Sequence, residues 1–442
     1  MQRAKARLYV AAAVGVTTTL VCFSNMAVAD LSLCAFRSGP KGPCTCKAAD
    51  DGPGRFTTVK RSHCRRGSAA GKLKPTIGKP EVNKAAPVGD VPVASERPVT
   101  NQEAHAAAAS SPQSPQHIVT ASNSATPESK LDAIRLRGAL NCGVNEGLLG
   151  FSYRASTGEW AGIDVDYCRA IAAAILGDST RVEFVPLDAS SRFDALKSGK
   201  IDVLSRNTTW TMNRDVDMGL EFVGVLYFDG QGFMTSDGKG LVSAQQLAGA
   251  TVCVQSATTT EANMAYYFKA HGVDVAVKTF QSRDEMVKAY LDGVCDAYSA
   301  DRSALFADRS GFAEPTKHTI LPEVISKEPL GPVVLQGDQE WTEIARWVLA
   351  GLINAEEVGL TREAALNGQE LDGDAKRLTE GAGASGAKLR LEWNWLRTAV
   401  AAVGNYGEFY NANIGKGGAL GMDRGLNALW KKGGILFAPP MW

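Results

Sequence analysis

Residues 181–204 read Arg-Val-Glu-Phe-Val-Pro-Leu-Asp-Ala-Ser-Ser-Arg-Phe-Asp-Ala-Leu-Lys-Ser-Gly-Lys-Ile-Asp-Val-Leu. Arg181–Val185 has the β-branched and aromatic content of a strand. Ser191–Ser198 follows with helical spacing and stops at Gly199, a residue suited to a helix C-terminus. Ile201–Leu204 is a strand again. Strand, helix and strand in this order predict a parallel βαβ unit, and with it an α/β fold.

The same alternation extends in both directions. Toward the N-terminus, Leu131–Gly138 reads as a short helix, Ala139–Val144 as a strand, and Asp164–Leu176 as an amphipathic helix closed by Gly177. Toward the C-terminus, Ala250–Val254 is a strand, Thr258–His271 a helix and Val275–Phe280 a strand. Ser282–Leu291 is then a helix closed by Gly293, and Cys295–Ser299 a strand. Two successive α/β halves predict two lobes with a cleft between them, and a cleft between domains is the default ligand site. From Trp341 the pattern is largely helical, with a clear apolar face over Ile344–Leu352. The stretch after Gly359 turns polar and Gly-rich, notably at Gly381–Gly386. Helical patterns return over Leu391–Val403 and Gly425–Trp430. Trp341, Trp347, Trp393, Trp395 and Trp430 are expected to pack core.

The chain has 442 residues, of which 45% are hydrophobic and 21% charged, enough for two or three compact units. Its formal net charge of zero hides an asymmetry. Residues 1–127 hold 16 Lys and Arg against 7 Asp and Glu, a net +9, and the rest holds 31 against 40, a net −9. An acidic globular part argues against nucleic acid as partner. Arg3, Lys5 and Arg7 precede an apolar run from Leu8 to about Met26, and Ala27-Val28-Ala29 then offers a small-residue cleavage site. Residues 1–29 therefore read as an export signal cleaved near Ala29, which predicts a periplasmic protein. Nine cysteines suit an oxidising compartment; removing Cys22 with the leader leaves eight. Cys34, Cys44, Cys46 and Cys64 mark residues 30–66 as a small Cys-rich module. The spacing of Cys44-Thr45-Cys46 is poor for zinc, so disulfides are expected there and no metal. Residues 67–127 are rich in Ala, Pro and Ser and lack either regular period, so they are expected to be a disordered linker. The globular domain is expected over residues 128–442.

Three polar loops follow predicted strands. The first is Asp202–Arg214, Asp-Val-Leu-Ser-Arg-Asn-Thr-Thr-Trp-Thr-Met-Asn-Arg. It offers hydroxyls and N–H groups to an anion, and Arg214 offers a bidentate fork for a carboxylate. The second, after Val254, contains Thr258 and Thr259 at the start of a helix, whose N-terminus attracts anions. The third is Ala300-Asp301-Arg302-Ser303, where a carboxylate at a strand's C-terminal end faces the crevice. Each alone also reads as ordinary helix capping. Together they suit a zwitterion, with Arg214 and the Thr loops on the α-carboxylate and Asp301 on the α-amine, because paired charges are what makes burying an amino acid tolerable.

The run Asp202-x6-Thr209-x-Thr211-x2-Arg214 resembles the signature of type II periplasmic amino-acid-binding proteins. Cys142-Gly-Val-Asn, Gly162-Ile-Asp-Val-Asp-Tyr-Cys-Arg-Ala, Leu204-Ser-Arg-Asn-Thr-Thr-Trp, Tyr227-Phe-Asp-Gly-Gln-Gly-Phe, Ile325-Ser-Lys-Glu-Pro-Leu-Gly-Pro and Gly425-Leu-Asn-Ala-Leu-Trp-Lys-Lys-Gly-Gly resemble its general L-amino-acid-binding subfamily. The resemblance covers about residues 130–442 and not residues 30–127. It implies a two-lobe type II fold with a hinge, with lobe one over about 130–232 plus 326–442 and lobe two over about 233–325. It implies capture of free L-amino acids, of broad or polar to acidic side chain, and delivery to the membrane permease of an ABC importer. Arg214, helped by Thr209, Thr258 and Thr259, would hold the α-carboxylate. Asp301, completed by Asn207, would hold the α-amine, and Asn145 and Phe151 would line the first-lobe wall near the ligand side chain. Bridges Cys142–Cys168 and Cys253–Cys295 are implied in the same way. No cofactor is implied, and the protein would be a monomer and not an enzyme.

Two departures stand out. Ala257 occupies a position before the Thr pair where relatives show Gly, so a positive φ there would strain the loop. Asp188-Ala189-Ser190 offers no aromatic clamp of the kind that relatives selective for basic amino acids carry. The alternatives are an enzyme on the same fold and an envelope-tethered sensor. His271 and His318 are the only histidines of the globular part and sit in no catalytic motif.

Overall fold

The computed structural model describes residues 20–22, 32–35, 44–46, 57–59, 129–368 and 370–442. The chain forms two compact units, Met1–Pro115 and Gln116–Trp442. In the first, four short strands, β1 (Leu20–Cys22), β2 (Ser32–Ala35), β3 (Cys44–Cys46) and β4 (Thr57–Val59), pair in order as an antiparallel sheet that sets Cys34 opposite Cys46. β1 falls inside the stretch expected to be a leader. The rest of that leader, the remainder of residues 30–66 and the linker over residues 67–127 lie outside the described residues.

The second unit begins with α1 (Lys130–Arg137), capped by the Ser129 side chain on the Asp132 N–H and ended by Gly138 at φ 76°. There follow β5 (Leu140–Asn145), the hairpin of β6 (Tyr153–Arg154) and β7 (Trp160–Ala161), α2 (Ile163–Leu176), β8 (Val182–Leu187), α3 (Arg192–Lys197), β9 (Val203–Leu204) and β10 (Leu220–Phe222). β5 pairs in parallel with β8 and β9, as the βαβ reading requires. The chain then crosses through β11 (Tyr227–Asp229) into a second sheet. It runs through β12 (Gln231–Ser236), β13 (Thr251–Gln255), α4 (Thr259–His271), β14 (Ala276–Phe280), α5 (Arg283–Leu291), β15 (Ala297–Asp301), α6 (Arg302–Gly311) and β16 (His318–Ile320). β17 (Glu328–Leu330) brings it back beside β11, and β18 (Val333–Leu335) closes the first sheet. The sheet orders are β10-β18-β9-β5-β8 and β14-β13-β15-β12-β16. The antiparallel β11–β17 pair is the double crossing between them, in the place of the expected hinge.

Five more helices back the first sheet: α7 (Gln339–Val358), α8 (Arg362–Leu366), α9 (Gly373–Gly386), α10 (Trp395–Val403) and α11 (Tyr406–Asn413). Their apolar faces join α2 in one core cluster, where each fully buried large side chain contributes about 1.5–3 kcal/mol. Hydrogen bonds fix the layer against the sheet: Trp341 Nε1 donates to Asp202 O at 3.0 Å, and the Tyr406 hydroxyl to Leu226 O at 2.7 Å. The Gly-rich stretch 381–386, which carries no helical pattern in the sequence, is the second half of α9. A Cβ at Gly383 would meet Trp393 O at 2.7 Å, and one at Gly386 would meet the Trp395 ring. Close backbone approach to two indoles offsets the lower helix propensity of glycine. Of the tryptophans expected in the core, Trp341 and Trp395 are there, whereas Trp393 and Trp430 are 61% and 53% exposed. Trp430 lies at the surface because its indole N–H donates to the Glu357 carboxylate.

Candidate functional site

The site stands where the C-terminal ends of β5, β9, β13 and β15 meet, the expected position in open α/β sheets. On the first sheet, β9 runs into a loop pinned from below by Asp164 in the first turn of α2. Asp164 accepts from the Ser205 hydroxyl at 3.0 Å and from Asn207 N at 3.1 Å. Asn207 adopts φ 31°, a conformation that asparagine tolerates better than other side chains. Burial pushes the Asp164 carboxyl up to about 7, against these hydrogen bonds and the nearby Arg206 charge. Asn145, the last residue of β5, donates through Nδ2 to Asn207 Oδ1 at 3.0 Å. Arg206 is buried, and its Nε donates to Leu187 O at 2.8 Å. Arg214 projects from a single wide π-type turn, Asn213–Asp217, and one terminal nitrogen donates to Thr209 O at 2.7 Å.

On the second sheet, Ala257 has φ 59°, the left-handed conformation that glycine accepts freely and alanine adopts at a cost of about 1–2 kcal/mol. Thr258 begins α4 but caps nothing: its hydroxyl donates to Gln255 O at 2.7 Å. Asp301 ends β15 at the N-cap position of α6 and likewise makes no capping bond. That task falls to Asp229, which accepts from Ser303 N at 3.2 Å. The Asp301 carboxylate thus forms no hydrogen bond among the described residues, and Asp301 lines the cavity. Burial first, then the charges of Asp229 and Glu328, raise its carboxyl well above the usual range, against Arg214 and Arg192. Burial also pushes Asp229 up to about 6.

The cavity between the two loops is about 60 Å³. That is several times what one ordered water requires, so the cavity has room for a bound solute. Asn145, Asn207, Thr209, Arg214, Thr258, Thr259 and Asp301 all line it. Phe151 does not. It is 1% exposed, in the core edge-on to Tyr227 with centroids 5.3 Å apart, because its loop turns inward there, and Leu148 of the same loop supplies the wall instead. The Thr209 and Thr259 hydroxyls both donate to Glu328 Oε2, at 2.6 and 3.0 Å. In this arrangement their hydroxyl protons are committed to that carboxylate. The free amide groups at the start of α4 are left for a ligand anion.

Several groups of this site were not named as site residues from the sequence. Glu328 sits on β17 of the double crossing and holds Thr209 from the first sheet and Thr259 and Asn263 from the second, Asn263 at 2.8 Å. Arg206 stood inside the first polar loop and Glu328 inside Ile325-Ser-Lys-Glu-Pro, so position hinted at both. Arg192, at the start of a short helix, gave no such hint. Cys142 is bridged to Cys168 and Cys253 to Cys295, with Cα atoms 6.3 and 5.8 Å apart, fastening the strands that present each half of the site. Among the described residues no three His, Cys, Asp or Glu side chains are grouped to hold a metal ion, and no helix is long and apolar enough to cross a membrane.

Two α/β sheets linked by a double crossing, with a charged cavity at their facing strand ends, define a type II solute-binding receptor. Residues 140–363 match the bacterial extracellular solute-binding proteins, family 3, and the chain belongs to that family. It is 47% identical to the general L-amino acid-binding periplasmic protein AapJ of Rhizobium johnstonii, over 73% of this chain and 96% of that one. It is 45% identical to the glutamate/glutamine/aspartate/asparagine-binding protein BztA of Rhodobacter capsulatus, over 72% and 94%. A solved ABC transporter periplasmic binding protein from Brucella ovis with glutathione bound matches with a TM-score of 0.69 at 48% identity, covering 71% of this chain and 99% of that one.

Proposed function

We propose that this protein captures free L-amino acids in the periplasm and delivers them to the permease of an ABC importer. The observation that carries this is one small cavity with the Arg214 guanidinium on one wall and the uncapping Asp301 carboxylate on the other. A zwitterion neutralises both, whereas a plain anion leaves Asp301 unpaired and a plain cation leaves Arg214 unpaired. Arg214 and the start of α4 take the α-carboxylate, and Asp301 takes the α-amine, with the Asn145–Asn207 pair beside it. The names of AapJ and BztA, both amino-acid-binding proteins, support the same substrate class.

The two lobes are residues 130–232 plus 326–442 and residues 233–325. Ligand bridging them favours the closed form, which the permease reads. No covalent step is needed, so the protein acts as a receptor and not as an enzyme. It works as a monomer without nucleic acid, after removal of a leader near Ala29.

The test is calorimetry of the full chain against the common L-amino acids after endogenous ligand is stripped by partial unfolding. Binding of several L-amino acids that both Arg214→Ala and Asp301→Ala abolish is expected. Absence of binding by well-folded protein would refute the reading and bring an enzyme or a tethered sensor forward.

A further inference from the structure

The segment Gly425-Leu-Asn-Ala-Leu-Trp stands out in the sequence and does not line the cavity. In the fold its asparagine reaches the hinge. Asn427 ends a tight turn, Gly425–Asn427, and is 3% exposed. Its Oδ1 accepts from Phe228 N at 2.7 Å, and its Nδ2 donates to Phe228 O at 3.0 Å. Phe228 is the middle residue of β11, the outgoing strand of the double crossing. Opposite it on β17 stands Pro329, which has no N–H to give and whose carbonyl accepts from Trp210 N. One side-chain amide thus does for Phe228 what a neighbouring strand would do, meeting both of its backbone groups.

Asn427 is itself held from the helical layer. The Arg424 fork donates to Asn427 O through Nε at 2.9 Å and a terminal nitrogen at 2.7 Å, and pairs with the Glu356 carboxylate of α7 at 3.0 and 3.2 Å. Its Cζ lies 4.7 Å from the Tyr410 ring and 5.2 Å from the Tyr406 ring. At Phe228, therefore, β11 is anchored to the first lobe. The residues just after it are anchored to the second. The Asp229 carboxylate accepts from Ser303 N at 3.2 Å, and Gly230 O accepts from Arg302 N at 2.8 Å. Both donors belong to the first turn of α6, and Asp301 precedes them at its N-cap. With an anchor on each side, the bend of this crossing is confined to the joint between Phe228 and Asp229, and Asp301 turns with α6 about that joint.

We propose that Asn427 is a positioning residue for the amine site: by pinning Phe228 it fixes the pivot on which the second lobe carries Asp301 toward Arg214. This rests on the amino-acid-receptor reading above. Without the pin, β11 bends at several residues. The unliganded chain then spreads over more lobe angles, and the arrangement that puts Asp301 and Arg214 on one ligand loses population. Apparent affinity falls by the same factor as that population.

Calorimetry of the stripped full chain with L-glutamine tests it, in wild type, Asn427→Ala, Asp301→Asn and the double variant. Asn427→Ala should weaken binding about tenfold, in line with the loss of two hydrogen bonds. In the Asp301→Asn background the same change should cost only about twofold, because the contact that Asn427 positions is already gone. Arg424→Lys keeps a charge facing Glu356 and loses the fork on Asn427 O; it should weaken binding about threefold and remain folded. Asn413→Ala is the control. Asn413 is also buried in the helical layer, but its side chain donates to Asp166 and to Phe409 O instead of to the hinge. This variant should lower the melting temperature and leave affinity unchanged. An unchanged affinity in Asn427→Ala, an equal loss in Asn413→Ala, or the same loss with and without Asp301 overturns the proposal and leaves the receptor reading standing. Should Asn427→Ala fail to fold, Arg424→Lys carries the same comparisons, and unchanged affinity there overturns the proposal. No binding of any amino acid by folded wild type overturns both.

Discussion

The two walls of the cavity are built from the same kind of loop and carry opposite charge. The first-sheet wall holds Arg192, Arg206 and Arg214, while the second-sheet wall holds Asp301, the start of α4 and Arg283, whose charge is paired by Asp308. They also differ in which residue adopts the positive φ and in how the loop is anchored. The first loop rests on Asp164 through two hydrogen bonds and uses an asparagine for its positive φ. The second turns through Ala257 at φ 59° and is tied down by Ser256, whose N–H and hydroxyl both donate to Phe280 O, and by the Thr258 hydroxyl on Gln255 O. The difference teaches that a ligand with charges at both ends is matched only when it touches both walls. It also places the costlier positive φ on the second wall, where an alanine and not an asparagine adopts it.

Breaking the first wall should have the largest effect. Arg214→Ala leaves the α-carboxylate unpaired and should weaken amino-acid binding about 1,000-fold or more, as for other buried charge pairs, measured by calorimetry. Asp301→Asn removes the opposite charge and should weaken binding about 100-fold. The Asp301 carboxyl is raised above the usual range by burial, Asp229 and Glu328, so acidification protonates it before an ordinary aspartate. Affinity should therefore fall as pH drops, and Asp301→Asn should flatten that profile. Glu328→Gln cannot accept from Thr209, Thr259 and Asn263 together, and should weaken binding about tenfold by loosening the link between the walls.

Two smaller changes sharpen the comparison through stability. The Asp164 pKa is 3.8 in the unfolded chain and about 7 in the folded protein. A raised carboxyl contributes stability that is fully present below the unfolded value and lost as pH rises through the folded one. The loss is at most about 4 kcal/mol. Asp229, raised to about 6, acts with the same sign. Thermal melting should thus occur at lower temperature at pH 8 than at pH 5, and Asp164→Asn should reduce that difference. Ala257→Gly relieves the left-handed alanine of the second wall, and offsets part of that gain through greater freedom of the unfolded chain. A net stabilisation of about 0.5–1 kcal/mol in urea unfolding is expected.

The sequence made the sheets legible because strand, helix and closing glycine alternate strongly from Arg181 to Leu204 and again from Ala250 to Ser299. Arg214, Asp301 and the Thr loops were visible for a related reason: strand ends in α/β folds point at the crevice. Glu328 and Asp229 were hinted at only by their place in quoted motifs, because their roles depend on the double crossing, which brings residues about 100 positions apart side by side. Arg192 was hidden because an arginine at a helix start reads as a surface residue until burial is known. Phe151 misled because an aromatic after a strand end suits a ligand wall and a core equally well. Gly381–Gly386 misled because glycine lowers helix propensity, and only the packed indoles explain its presence in α9.

The central claim is tested most directly by a crystal structure of the full chain soaked with L-glutamate. The account predicts the α-carboxylate on Arg214 and the amine on Asp301, with both sheets in contact with one ligand. A ligand bound with its amine away from Asp301, or held by one sheet alone, would contradict it.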